Sequence, residues 1–261
     1  MNWIRTGVLC LAAVTTVLAD SIVVPGIYAA TEGPSNLSIP FAWRPELRNQ
    51  TVYNSSLFSS LSGPISITGI NYRLDAPLDA TFNQTIPDFQ LRMSTTSRAA
   101  GNLSTTFADN VGPDVTLVRS GVLVNNHTAG AGPGPRPFNV SVSLQTPFVY
   151  DPTAGSLLLD YRVTGNTLFN RFYDGTNNFS PGVTSSDGIS SVLTDRPDQA
   201  TAAPLSCCPA SDGTHPGGLI IQLQYEAAAS PVPEPATLPL MGIVAAGTAM
   251  LVRRRRQSQA V

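Results

Sequence analysis

A two-residue alternation of apolar and polar side chains, broken at short intervals by glycine and proline, constrains this chain most. Phe138, Val140, Val142 and Leu144 alternate with Asn139, Ser141 and Ser143. Phe89, Leu91 and Met93 alternate with Gln90 and Arg92, and Leu157, Leu159, Tyr161 and Val163 share one face against Asp160 and Arg162. Ile221, Leu223 and Tyr225 alternate with Gln222 and Gln224. Period two is the mark of half-buried strands, because successive side chains of a strand point to opposite faces. Ile65 and Ile67 share a face, and Gly69 then shifts the phase to Ile70 and Tyr72, which predicts a β-bulge. Further strands are read at Ser38–Trp43, Asp114–Val124 and Thr167–Tyr173, and a short helix at Asn54–Leu61. Turn clusters such as AGAGPGPRP (129–137) and YDPTAG (150–155) separate the runs. The expected fold is all-β, a single antiparallel β-sandwich of jelly-roll-like topology. No regular repeat points to a solenoid or propeller.

Charge narrows the function. Charged residues make up 12% of the chain, about half the usual share, and every basic residue is arginine. Between Asp20 and Pro231, sixteen carboxylates face ten arginines, a net charge of −6. Such a body is a poor partner for nucleic acid, which needs a basic face.

Both ends differ from this body. MNWIRTGVLCLAAVTTVLAD opens with Arg5 and an apolar stretch from Gly7 to Ala19. This reads as a signal peptide over residues 1–19, cut by a signal peptidase before Asp20. Residues 20–31 read as an N-terminal extension, 32–226 as the sandwich, and 227–235 as a proline-rich linker. Ala236 to Val252 carry no charge. As a helix they span about 25 Å, the short limit for a transmembrane segment. Arg253, Arg254, Arg255 and Arg256 follow at once and place the basic tail, 253–261, in the cytoplasm.

Val232-Pro233-Glu234-Pro235-Ala236-Thr237, the short apolar run and the terminal arginine cluster together resemble the PEP-CTERM sorting signal of bacterial exported proteins. The resemblance implies that Pro233, Glu234 and Pro235 are recognised by a membrane-embedded processing enzyme, an exosortase. The two prolines hold that strip extended. Phrases in the body, LSTTFADNVG (103–112) and PFVYDPTAGSLLLDYR (147–162), are similar to those of other PEP-CTERM proteins and imply no chemistry.

The body shows little that could catalyse a reaction. His127 in NNHTAG and His215 in DGTHPGG are both read as loop residues, neither with a second ligand at metal-binding spacing. There is no nucleophile elbow and no Walker loop. No metal and no cofactor are expected. Asp174-Gly175-Thr176-Asn177-Asn178 is rich in oxygen ligands, yet an ordinary Asx turn is the plainer reading. Cys10 leaves with the signal peptide. Cys207 and Cys208 remain adjacent in a long loop, Asp195 to Gly218, as candidates for a local or intermolecular disulfide.

The expectation is therefore a non-enzymatic, exported surface or extracellular-matrix protein, sorted through its tail, with extracellular polysaccharide as a candidate ligand. A secreted hydrolase is the rival, and it requires His127 or His215 to meet a carboxylate and a hydroxyl. A permanently membrane-anchored ectodomain is the third reading.

Overall fold

The alternating runs fold as strands, and every strand pair is antiparallel. The computed structural model describes residues 19–176, 187–203 and 213–228. The strands are β1 (Asp20–Val24), β2 (Ser35–Leu37), β3 (Glu46–Tyr53), β4 (Ile65–Tyr72), β5 (Phe82–Thr96), β6 (Thr116–His127), β7 (Val140–Tyr150), β8 (Ser156–Thr164), β9 (Tyr173–Gly175), β10 (Ile189–Thr194), β11 (Thr214–Pro216) and β12 (Ile221–Ala227). Among the described residues the only helical pieces are short 3-10 turns.

Four strands form one sheet in the order β1-β12-β4-β7, and six form another in the order β11-β10-β3-β8-β5-β6. Strands β2 and β9 make a small third ladder. The two large sheets share one core. Ile67, Ile70, Tyr72, Val142 and Leu223 come from the first sheet, and Leu47, Phe89, Leu91, Leu159 and Val163 from the second. Each such side chain contributes about 1.5–3 kcal/mol on burial. Among these apolar groups, the hydroxyls of Tyr72 and Tyr161 meet at 2.7 Å, a hydrogen bond from sheet to sheet. Burial pushes both phenols well above their usual range.

The bulge expected at Gly69 is present: Thr68 is skipped as β4 pairs with β7 and with β12. At the outer edge of the six-stranded sheet, the Gln145 side chain takes the place of a neighbouring strand. Its Oε1 accepts from Ser120 N at 2.9 Å and its Nε2 donates to Ser120 O at 3.0 Å. An occupied edge is a poor template for further pairing.

Three local expectations are corrected. Ser38–Trp43 is a turn: Pro40 has no N–H to give a ladder, and the turn instead drives Phe41 into the core, 4.8 Å from the Tyr72 ring. Of Thr167–Tyr173 only Tyr173 is in a strand, since Asn170, in the middle of the segment, adopts a positive φ of 56° that breaks an extended run. Asn54–Leu61 contains one 3-10 turn, Ser55–Phe58, which buries Phe58. Two strands that lack a period-two signature, β3 and β10, lie near the middle of the larger sheet, and from Leu47 onward β3 is buried on both faces.

Residues 20–31 contain β1, which pairs along its whole length with β12. Among the described residues no helix is long and apolar enough to cross a membrane. The apolar segment 236–252 lies outside those residues, as does the N-terminal segment before residue 19.

Candidate functional site

Alternation along β3, β8 and β5 gives the six-stranded sheet a second, polar face turned away from the core. Arg48 and Gln50 of β3, Asp160 and Arg162 of β8, and Gln90 and Arg92 of β5 all project there, since their neighbours Leu47, Tyr161 and Leu91 are core residues. Arg48 grips Asp160 with two donors, Nε to Oδ1 at 3.1 Å and Nη2 to Oδ2 at 2.7 Å. Gln50 Nε2 adds a third hydrogen bond to Oδ2 at 3.0 Å.

The 3-10 turn Phe107–Asn110 closes over this half of the face. Its Phe107 ring lies 4.2 Å from the Arg48 guanidinium, Phe107 O accepts from Gln50 at 3.2 Å, and Asn110 Nδ2 donates to Gln50 Oε1 at 2.9 Å. Arg48 Nη1 also donates to Gln199 O at 3.2 Å. The buried ion pair is thereby fully hydrogen-bonded, the condition under which buried charge is tolerated.

The other half of the cluster is different. Arg92 stands directly opposite Asp160 on the β5–β8 ladder, and Arg162 directly opposite Arg48 on the β3–β8 ladder. Both are half-buried, and Arg92 Nη1 and Arg162 Nε are buried without a hydrogen-bond partner. Burial lowers the Arg162 pKa, and the charges of Arg48 and Arg92 add to the effect against the pull of Asp160 and Asp198. Three guanidiniums thus share one face with one contacting carboxylate. Such an arrangement can receive an anion.

The two histidines are not brought together. Neither is a loop residue as expected: ladder pairing with Phe82 puts His127 at the end of β6, and pairing with Ser191 puts His215 in β11, at opposite edges of the six-stranded sheet. Five strand spacings, about 24 Å, separate those edges. His127 is engaged at both ring nitrogens: Nε2 lies 2.6 Å from Asp79 Oδ1 and Nδ1 lies 3.1 Å from Asn139 Oδ1. A carboxylate is present, but an amide stands where a hydrolase would need a hydroxyl. Asp79 also accepts from Gly130 N at 2.8 Å and pairs with Arg136 Nε at 2.8 Å, so the cluster fastens the 129–137 loop to the sheet. His215 is buried beside β10, opposite Ser191.

Asp174 is likewise committed. Its Oδ2 accepts from Arg73 Nε at 2.6 Å and its Oδ1 from Gly33 N at 2.8 Å, with both side chains of the ion pair buried. Burial pushes its carboxyl up to about 6, against the pull of Arg73. No cluster of three metal-ligating side chains occurs among the described residues. An open cavity of about 420 Å³ is lined in part by Asp109, Asp114 and Asp151. Two of these carboxylates accept backbone N–H groups, Asp114 from Thr95 and Asp151 from Thr153, and Asp109 accepts from Ser104 Oγ.

Cys207 and Cys208 lie outside the described residues. The chain on either side of them is pinned to one residue of β10: Ala203 N donates to Leu193 O at 3.3 Å, and Leu193 N donates to Gly213 O at 3.1 Å.

The ends of the body complete the picture. In the β1–β12 ladder Asp20 faces Tyr225, and Ala227 closes β12. The chain therefore enters and leaves the β-body at the same end. Beyond it, residues 231–256 match the family described as a PEP-CTERM protein-sorting motif. This chain carries a PEP-CTERM sorting signal. The signal supports export, delivery to the cell surface and processing by an exosortase-like enzyme. It begins four positions after the last residue of β12. Pro233, Glu234, Pro235 and Arg253 to Arg256 fall within the match and outside the described residues. Among curated proteins, none matches the chain.

The tail is legible in the sequence, and the arginine cluster is not. Arg92 and Arg162 were legible as outward-facing positions of alternating strands. Arg48 was not, because β3 shows no alternation.

Proposed function

We propose that the protein is a non-catalytic surface or matrix module that binds extracellular polysaccharide. A signal peptide ending at Ala19 exports it. A C-terminal helix over 236–252 holds it in the membrane until an exosortase-like enzyme processes the PEP-CTERM tail. The observation that carries this reading is the pairing of Asp20 with Tyr225. Both membrane-directed segments join the body at one end, at the β1–β12 edge of the four-stranded sheet. The strand order supports a jelly-roll: β1, β12, β4 and β7 in one sheet and β3, β8, β5 and β6 in the other read 1-8-3-6 and 2-7-4-5 when these eight are numbered consecutively, with β10 and β11 added at one edge. Sandwiches of this class serve many functions, so the fold by itself does not supply the ligand.

Two experiments test the reading. Cells expressing the chain, and a chain truncated before Pro231, are fractionated. The full chain is expected in the membrane and surface fractions, and the truncated chain in the periplasm or medium; identical distributions would remove the role of the tail. A glycan array that stays blank would leave a structural role without polysaccharide binding.

A further inference from the structure

The polar face of the six-stranded sheet holds three guanidiniums, Arg48, Arg92 and Arg162, against two carboxylates, Asp160 in contact with Arg48 and Asp198 acting on Arg162 without a hydrogen bond to it. Arg48 and Gln50 together occupy Asp160. Arg92 and Arg162 flank the same carboxylate and make no hydrogen bond with it, and each has a buried N–H without a partner. Like charges facing each other across a ladder, as Arg48 and Arg162 do, destabilise a sheet, and a buried donor left unmade does the same. An anionic group seated between Arg92 and Arg162 would relieve both.

We propose that Arg92 and Arg162, backed by Arg48, bind the carboxylate or sulfate groups of an acidic polysaccharide. The proposal rests on the polysaccharide-binding reading above and narrows it to one class of polymer. A guanidinium presents a planar fork of donors that matches the paired oxygens of either group. Gln90, opposite Arg162 on the same face and half-buried, adds an amide suited to sugar hydroxyls. The Phe107–Asn110 turn covers Arg48 and Gln50, while Gln90, Arg92 and Arg162 on β5 and β8 stay partly exposed to a chain passing over them. The net charge of −6 on the body disfavours a densely charged nucleic acid, while a local cluster of guanidiniums still attracts single anionic groups spaced along a sugar chain.

The test is affinity electrophoresis of the detergent-solubilised full chain through gels containing polygalacturonate, dextran sulfate or neutral dextran. The expected result is retardation in the two anionic gels and not in neutral dextran, weakening as salt is raised. Arg92→Gln/Arg162→Gln should lose at least tenfold in affinity with an unfolding midpoint no lower than that of wild type, and Arg171→Gln should behave as wild type. A double variant retarded as strongly as wild type, or a wild-type chain that passes both anionic gels freely, would overturn the proposal. Equal retardation of wild type and double variant in neutral dextran would keep polysaccharide binding and remove this site from it. Competition by inorganic sulfate as effective per charge as the polymer would make this a site for free anions and sink the polysaccharide assignment.

Discussion

Asp20 and Tyr225 face each other across the outermost ladder of the four-stranded sheet. The first strand of the body is thereby held by the last. Among the described strands β1 pairs in the large sheet with β12 alone, the strand that precedes the sorting motif. The body thus carries both of its chain ends side by side.

Val24 anchors this clasp, because it is fully buried where β1 ends. Val24→Asp places a carboxylate in the core and should cost at least about 2 kcal/mol. Hydrogen exchange will show it as lost protection of the β12 amides facing β1. Retained protection would mean that β1 contributes nothing to the closure.

The Tyr72–Tyr161 bond predicts non-additivity. Tyr72→Phe leaves the Tyr161 hydroxyl buried without its partner and should cost about 1–3 kcal/mol in chemical denaturation. Adding Tyr161→Phe should cost much less than it does alone, because no orphaned hydroxyl then remains. Strictly additive losses would contradict a direct bond between the sheets.

Arginines on one face should differ sharply in their effect on stability. Arg48→Ala strips a buried carboxylate of two hydrogen bonds and should cost about 3–5 kcal/mol. Arg92→Gln removes a side chain with no hydrogen bond and should change stability by less than about 0.5 kcal/mol. Comparable losses in thermal unfolding would show that Arg92 is structural.

Asp79 sets an acid limit on the 129–137 loop. Burial pushes its carboxyl up, but the Gly130 amide, His127 and Arg136 together outweigh burial and hold it below the usual range. A depressed carboxyl stabilises the fold fully above its unfolded value near 3.9, and the contribution fades as pH falls through the lower folded value. Exchange protection of the Gly130 amide should therefore decline below about pH 4, and Asp79→Asn should lack that decline. A loop protected equally at pH 3 and pH 6 would refute the linkage.

What the sequence revealed follows from what each signal depends on. β4, β7, β8 and β12 were legible because residues facing the core alternate with polar ones. β3 and β10 were not, because both faces of these strands are buried, the outer face of β3 in part by the Phe107–Asn110 turn over Gln50. Ser38–Trp43 looked like a strand because it holds large apolar residues, and those residues are there to plug the core from a turn. The sorting signal was legible in full since its parts are contiguous. The arginine cluster is assembled from three strands by register alone, and no local pattern announces it.

The central claim is that the adjacent ends of this body are processed ends. Intact-mass spectrometry of the protein recovered from the surface of exporting cells tests it most directly. The account predicts a chain that begins at Asp20 and has lost the apolar run and the arginines after the Pro233-Glu234-Pro235 strip. A surface protein whose mass runs intact through Val261 would contradict it.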